Sequence, residues 1–241
     1  MNITMKVRVV ASPLPPPPTF TGTRLTVVAR EGEMTFRIVN AKKAASRETV
    51  RVDWNDGIVD EIAGDISNLE HTYEEEGVYE IEIGDDIESL LLYKLSSVGG
   101  YKPRLVHLFS NATLLTQSPT SCFREAVNLV DFDLRDCGLT ALGVMAFAQC
   151  PSLRSVAGLP RGLTSLGNVT FKDCTGLSGR IDLPQIETLD YVAAGGATFS
   201  GCTGIEEIHF AKAHEESIKA SRGYAAAPTL GAANATVSFD L

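Results

Sequence analysis

A short phrase that recurs at a nearly constant interval constrains the fold of this chain more than any other feature. The phrase is an aromatic residue, a small residue three positions later and an aliphatic residue three positions after that. Its four copies are Phe123/Ala126/Leu129, Phe147/Cys150/Leu153, Phe171/Cys174/Leu177 and Phe199/Cys202/Ile205. The first two intervals between the phenylalanines are equal, and the third is slightly longer. A fixed period of about two dozen residues is typical of a solenoid, in which each coil buries its apolar edges against the next.

The residues between the copies predict one short strand in each coil, with alternate aliphatic side chains directed inward. The predicted inward sets are Leu129/Phe132/Leu134, Leu153/Val156/Leu159, Leu177/Ile181/Leu183 and Ile205/Ile208/Phe210. A second wall is expected from the pairs Leu139/Leu142 and Leu163/Leu166. The phenylalanines of the phrase are expected to lie above one another along the axis of the solenoid, in a dry core that supplies most of the stability.

The outward positions of the predicted strands are the candidate ligand-binding residues. They are Asp131, Asp133, Ser155, Arg180, Asp182, Glu207 and His209. Regularly spaced outward side chains form an extended face that suits recognition of a protein or a glycan. The alternative, that any one of these residues is simply a solvated surface residue, stays open.

The chain has five cysteines, and three of them occupy the small position of the phrase, where the first copy has Ala126. The exchange of Ala and Cys predicts a small, buried apolar slot that holds free thiols. No closely spaced pair of Cys or His residues suggests a metal site, so no metal and no cofactor are predicted. Cys122 and Cys137 lie outside this series, and a disulfide between them is left open.

Short alternating patterns predict strands over residues 24–29, 34–39, 49–54, 58–62 and 78–83. Strands at such intervals are typical of a small β-sandwich. A further short strand is predicted at 6–10. Residues 13–18 are predicted to form a stiff polyproline II segment, which serves as a spacer, as the covering of a sheet edge or as the ligand of a proline-binding module.

The net charge of −9 is unevenly distributed along the chain. Residues 1–52 carry nine Lys/Arg and three Asp/Glu, whereas residues 53–88 carry fourteen Asp/Glu and no Lys or Arg. The absence of a basic patch disfavours binding to nucleic acid. The acidic segment is interpreted as a solvated face. A loose calcium site around Asp53 and Asp56 is the alternative, although Gly64 stands where an EF-hand loop needs Glu.

Three motifs of the N-terminal half, Val52-Asp53-Trp54-Asn55-Asp56-Gly57, His71-Thr72-Tyr73 and Gly77-Val78-Tyr79, together resemble the PKD (polycystic kidney disease) domain family. The resemblance covers about residues 20–90. It implies an immunoglobulin-like sandwich, which commonly serves as a spacer or binding module in surface proteins. Trp54 is expected to fill the core, Asp56-Gly57 to form the turn, and His71 and Tyr73 to tie the loop by hydrogen bonds.

The segment Leu153 to Cys174 resembles the unit of the BspA-like leucine-rich repeat, Leu-x-x-Ile-x-Leu-Pro-x-x-Leu-x-x-Ile-Gly-x-x-Ala-Phe-x-x-Cys. The ends of two further units match at 143–150 and 195–202, and the resemblance spans about residues 105–215. Phe109-Ser110-Asn111-Ala112 is interpreted as a degenerate first copy. After Phe210 the period stops, and a helix over 211–221 that ends at Gly223-Tyr224, followed by a strand over 235–241, is predicted to cap the last coil.

The predicted fold is mainly β and has four parts. They are an N-terminal strand and Pro-rich segment (1–19), a PKD-like sandwich (20–90), BspA-like repeats (91–210) and a cap (211–241). The two resemblances imply a non-enzymatic adhesion or binding protein at a bacterial cell surface, or extracellular, whose partner is a host or bacterial surface protein or a glycan.

Two other functions remain open. A structural or host-recognition component of a phage particle is the main alternative, because the first residues carry no recognisable secretory signal and a cytoplasmic or virion location therefore stays open. An enzyme such as a glycan hydrolase is the least favoured, because no nucleophile or nucleotide-binding motif is found. No run of apolar residues approaches the about 20 that cross a bilayer, so no membrane insertion is predicted.

Overall fold

The computed structural model describes residues 20–92, 104–190 and 196–241. Of these residues, 39% lie in strands and 7% in helices, which confirms the mainly β prediction. The strand predicted at 6–10 and the polyproline II segment predicted at 13–18 lie outside the described residues.

The strands fall into an N-terminal and a C-terminal group. The first group is β1 (Gly22–Ala29), β2 (Thr35–Lys43), β3 (Val50–Asp53), β4 (Val59–Ile62), β5 (Ile66–Thr72), β6 (Gly77–Gly84) and β7 (Ile87–Leu91). The second group is β8 (Leu105–Ser110), β9 (Asp131–Asp133), β10 (Ala141–Leu142), β11 (Ser165–Leu166), β12 (Ser178–Leu183), β13 (Thr188–Leu189), β14 (Gly204–Phe210) and β15 (Thr236–Phe239). Two short helices, α1 (Glu215–Ala220) and α2 (Arg222–Ala226), follow a 3-10 turn at Lys212–His214.

The N-terminal strands form two antiparallel arrangements that share one hydrophobic core. β4-β3-β6-β1 are neighbours in one sheet, and β5-β2-β7 form the other. Leu25 and Ile81 from the first sheet, and Ile38 from the second, are fully buried in this core together with Trp54. β5 and β7 were not among the predicted strands.

The predicted hydrogen-bonded tie around Trp54 is present. The indole Nε1 donates to Asp60 Oδ2 at 2.8 Å, and the Tyr73 hydroxyl donates to the Trp54 carbonyl at 3.1 Å. The His71 ring stacks on the indole at 4.6 Å between centroids and bonds Asp56 Oδ2 at 2.7 Å through Nε2. The buried ring therefore fixes the turn that leads from β3 to β4.

The charges that are segregated along the sequence are paired in space. The ion pairs that join the basic and acidic segments are Arg24–Glu82, Arg37–Glu70, Lys42–Glu88, Arg47–Asp85 and Arg51–Asp53. The first three pairs arise because β1 lies beside β6, and β2 lies between β5 and β7. Arg51 and Asp53 instead lie on the same strand, β3, and Arg47 and Asp85 lie outside the strands. The acidic segment is thus partly neutralised, although exposed pairs of this kind stabilise a fold by only about 0–1 kcal/mol each.

The C-terminal strands pair in parallel from one repeat to the next. β12-β14-β15 form one parallel sheet and β10-β11-β13 form a second. In addition to the two parallel sheets, hydrogen bonds join the turns of successive repeats. In each of them the amide of a repeated phenylalanine donates to a carbonyl of the following repeat. These bonds run from Phe123 to Ala146 (2.8 Å), from Phe147 to Thr170 (2.9 Å), from Phe171 to Thr198 (2.9 Å) and from Phe199 to Leu230 (2.8 Å).

The four phenylalanines of the phrase, Phe123, Phe147, Phe171 and Phe199, form a buried ring stack. Successive centroids are 5.1, 5.7 and 5.5 Å apart, and the last three rings are fully buried. The prediction that the rings lie above one another is confirmed. The predicted inward leucines, isoleucines and valine are buried around the stack.

The cysteines of the phrase donate to backbone carbonyls of the preceding repeat. Cys150 Sγ lies 3.4 Å from the Phe123 carbonyl oxygen, Cys174 Sγ lies 3.0 Å from that of Phe147, and Cys202 Sγ lies 3.0 Å from that of Phe171. A thiol fits this slot because it is small and is also a weak donor. All five cysteines are free and buried, so Cys122 and Cys137 do not form a disulfide.

One predicted strand is absent from the described residues of the second repeat. Residues 154–159 have no strand, and Ser155 Oγ instead accepts a local bond from the Ala157 amide at 3.1 Å. The reason is visible in the spacing of the inward residues Leu153, Val156 and Leu159, which lie three apart. A strand directs every second residue to the same face, so this spacing does not suit one.

The C-terminal helix prediction is wrong in detail. The helical segment breaks at Ser221, and Gly223 and Tyr224 belong to α2 instead of ending the helix. Glycine is required at 223 because a Cβ there would lie 2.7 Å from Leu189 Cβ, so the close approach of α2 to β13 leaves no room for a side chain. β15 confirms the predicted closing strand.

Strand β8 belongs to both groups of strands. It pairs antiparallel with β1 and parallel with β9, so that the six-stranded sheet runs β4-β3-β6-β1-β8-β9. Leu105 and Leu108 are inward residues of β8, whereas Phe109 lies opposite Arg24 and Asp133 on the outer side. Phe109 is therefore not a first copy of the stacked phenylalanine, and the interpretation of 109–112 as a degenerate copy is corrected.

A substitution at Gly158 is expected to disturb the contact between the first two repeats. A Cβ at this position would overlap the Phe132 carbonyl, and the Gly158 carbonyl accepts from the Leu134 amide at 2.8 Å. We expect Gly158→Ala to lower the free energy of unfolding, measured with urea, by about 1–3 kcal/mol or more. Gly162→Ala is the matched control, because the nearest atom to its added Cβ is 3.9 Å away. Equal losses for the two variants would contradict this reading of the contact.

Candidate binding face

Six of the seven candidate residues lie in two groups on the outer side of the parallel strands. Asp131 and Asp133 are on β9, and the other group consists of Arg180, Asp182, Glu207 and His209 on β12 and β14. In the second group Arg180 lies opposite Glu207, and Asp182 lies opposite His209. Ser155 is exposed on the irregular segment between the two groups. The seven residues are therefore not one regular row, since the second repeat lacks its strand.

The first group is an acidic pair in which Asp131 is bonded to a histidine and Asp133 to an arginine. His107 on β8 lies opposite Asp131, and its Nδ1 bonds the Asp131 carboxylate. This hydrogen bond raises the pKa of His107 above its ordinary value, against the opposing effect of burial. Arg135 donates to Asp133 at 2.9 and 2.5 Å and holds the pKa of that carboxyl below its ordinary value.

The second group combines one exposed ion pair with one covered histidine. Arg180 Nε donates to Asp182 Oδ1 at 2.6 Å, and both side chains are about half exposed. His209 is only 7% exposed, so the alternative of a simply solvated surface residue does not hold for it. The side chains that cover it are those of Glu207, Ser238 and Asp240.

His209 has carboxylates on both of its ring nitrogens. Nε2 lies 3.0 Å from Glu207 Oε2, and Nδ1 lies 2.6 Å from Asp240 Oδ1. The hydrogen bond to Asp240 is the largest cause that raises the pKa of His209, and the bond to Glu207 adds to it. The same contact lowers the pKa of Asp240.

Three residues of this face were not identified from the sequence: His107, Ser238 and Asp240. His107 precedes Asp131 by one repeat period, so extending the period by one copy would have found it. Ser238 and Asp240 lie in the predicted closing strand. Their contact with His209 depends on the pairing of the closing strand with β14, which the sequence pattern does not predict.

The polar face continues onto the N-terminal sheet through β8. One row crosses all six strands of that sheet and consists of Val59, Asp53, Glu82, Arg24, Phe109 and Asp133. Arg24 donates to Glu82 at 2.5 Å and lies over the Phe20 ring at 4.9 Å. The row thus extends the surface of charged, ion-paired residues beyond the repeats.

The face can act chemically as a set of hydrogen-bond acceptors and donors of alternating charge. Among residues 20–92, 104–190 and 196–241, no group of three or more His, Cys, Asp or Glu side chains is arranged to hold a metal ion. The alternative calcium site around Asp53 and Asp56 therefore has no such group in the described structure. Asp53 bonds Arg51 at 2.8 Å, and Asp56 bonds His71.

Comparison with known protein families gives a match for the repeat region of the chain. Residues 116–222 match the family model of the BspA type leucine rich repeat region, in six copies. This match supports the BspA-like repeat part of the prediction. No curated protein and no solved structure matches the chain. None of the helices in the described part of the chain has the length and apolar character that a membrane span requires.

Proposed function

We propose that this chain is a non-enzymatic binding protein, in which a leucine-rich-repeat solenoid presents its outer strand face to a protein or glycan ligand. In this proposal residues 20–90 form an immunoglobulin-like sandwich of the PKD-like type and act as the supporting module. The protein works at a bacterial cell surface or outside the cell, as proteins with BspA-type repeats commonly do. The partner is a surface protein or a glycan of a host or of another bacterium.

The stacking of one repeat on the next is the observation on which this proposal depends. Parallel pairing and the ring stack hold the backbone of each repeat at a fixed spacing, so outward side chains form a rigid array. A rigid array loses little conformational entropy on binding, which favours recognition of an extended ligand. Arg180 and Asp182 are an ion pair of this array in which both side chains are about half exposed.

A binding screen with the intact chain tests the proposal. We expect the chain to bind a defined subset of a glycan array or of a panel of extracellular-matrix proteins. Arg180→Ala combined with Asp182→Ala should abolish that binding, whereas Arg30→Ala should not. Arg30 is the control because it is a similarly exposed ion-paired arginine that lies after β1, away from the repeats. Failure to bind any member of either panel would contradict the proposal, and binding only to whole bacterial cells would favour the phage alternative.

A further inference from the structure

Strand β15 is held to the rest of the molecule along one side. It is the end strand of the β12-β14-β15 sheet and pairs only with β14 among the described strands. The pairing continues past the strand, because the Leu241 amide donates to the Phe210 carbonyl at 3.2 Å. Val237 and Phe239 are only partly buried. Phe239 nevertheless stacks on Phe210 of β14 at 5.7 Å between ring centroids, and the polar side-chain contacts between β14 and β15 add to this attachment.

The geometry of these contacts favours the protonated form of His209. Its two nitrogens face the carboxylates of Glu207 and Asp240 at 3.0 and 2.6 Å. A carboxylate only accepts, and a neutral imidazole has one N–H, so both bonds exist together only when the ring is an imidazolium. The Ser238 hydroxyl lies 2.7 Å from Nδ1 and 3.0 Å from Asp240 Oδ1. It can donate to the carboxylate when the ring is protonated, or to Nδ1 when the ring is neutral.

We propose that His209, Ser238 and Asp240 form a proton-dependent latch that holds β15 against β14 and loosens when His209 loses its proton. Asp240 and Ser238 make the latch an inter-strand device, because both contact His209 from the closing segment, whereas Glu207 lies on the same strand as His209. Loosening frees the hydrogen-bonding edge of β14. The end of the repeat array is then closed at low pH and more open at high pH.

The charged groups around His209 determine the sign of this effect. Glu207 faces it from its own strand, Asp240 from the end of β15, and Arg180 and Asp182 from β12. Carboxylates outnumber the single guanidinium, and the pKa of His209 is raised. A raised pKa in the closed state means that the latch stabilises fully below the ordinary pKa of histidine and is lost as the pH rises through the raised pKa.

The effect can be measured without any ligand, by nuclear magnetic resonance of the full chain. The ring signals of the four histidines are followed against pH, and His209 is assigned by its loss in His209→Gln. We expect His209 to titrate above the ordinary pKa of histidine. Amide exchange of Val237, Phe239 and Leu241 should accelerate across the same pH range by more than the hydroxide dependence alone. Each unit of raised pKa corresponds to about a tenfold change in the closed-to-open ratio.

Three variants separate the latch from general destabilisation. Asp240→Asn, at an exposed position, should remove the pH-dependent part of the exchange at Val237 and Phe239. Glu207→Gln should lower the pKa of His209 but keep the pH dependence, because the bond to the other strand remains. His107→Gln, at the opposite end of the face, should change nothing at β15. The proposal is overturned if His209 titrates at or below its ordinary pKa, or if Asp240→Asn leaves the pH dependence of the β15 amides unchanged.

Discussion

Phe171→Ala is expected to lower the free energy of unfolding by about 3–5 kcal/mol, the cost of removing a large buried aromatic side chain. Phe171 is fully buried, with Phe147 at 5.7 Å on one side and Phe199 at 5.5 Å on the other. Removing the middle ring leaves a cavity that its neighbours cannot fill, because their own amides are hydrogen-bonded to the next repeat at 2.9 and 2.8 Å. Urea unfolding followed by circular dichroism measures the loss.

The matched control for this prediction is Phe109→Ala. It removes the same side chain from a position on the outer side of β8, where the ring is only partly buried. We expect this variant to cost much less than Phe171→Ala. Similar losses for the two variants would mean that the ring stack makes no special contribution to stability.

The buried part of the repeats could be predicted from the sequence because it repeats. An inward position that recurs once in every repeat has the same environment in each copy. The recurrence of Phe147 and Phe171 was therefore enough to predict that both rings are buried, without knowledge of the rest of the fold. The same reasoning placed Cys150 and Cys174 in a small buried slot, and the structure adds that each thiol donates to the preceding phenylalanine carbonyl. Local periodicity was sufficient because each repeat packs mainly on its neighbours.

Features that depend on contacts between distant segments could not be predicted in this way. Strand β8 pairs with β1, although β2 to β7 lie between them along the chain, and no local pattern specifies that register. The burial of His209 likewise depends on Asp240, which belongs to the closing segment of the chain. In both cases the residues were visible in the sequence, but their function in the structure follows from long-range strand pairing.

The charge pattern shows the same limit. The sequence separates nine basic residues in 1–52 from fourteen acidic residues in 53–88, which indicated a solvated acidic face. The antiparallel register places Arg24 opposite Glu82 and Arg37 opposite Glu70. Basic and acidic residues that lie in separate segments of the sequence therefore face one another across the sheets, because neighbouring strands come from the two different segments.

Leu108→Ala is expected to destabilise the N-terminal sheets and the repeats together, by about 2–5 kcal/mol. Leu108 is almost fully buried on β8, opposite Leu25 of β1 on one side and Phe132 of β9 on the other. Both partners are buried in the same continuous hydrophobic cluster. A cavity at this point therefore weakens the packing of both groups of strands.

The chain carries its own probe for each group of strands. Its single tryptophan, Trp54, is buried in the N-terminal core, and all five cysteines, from Cys122 to Cys202, are buried in the C-terminal group. Tryptophan fluorescence and thiol labelling should therefore give the same unfolding midpoint in the unaltered chain. Leu108→Ala should move both midpoints to lower urea by the same amount, whereas Val106→Ala, a half-buried neighbour on β8, should move them little.

Coincident shifts are expected because β8 is hydrogen-bonded along both edges, to β1 on one side and to β9 on the other. Unfolding either group of strands alone would expose one edge of β8 and one side of its buried residues to water. This exposure costs free energy, which favours unfolding of both groups together. If thiol labelling shifted in Leu108→Ala while Trp54 fluorescence did not, the two groups would unfold independently, and the shared sheet would not couple the supporting strands to the binding face.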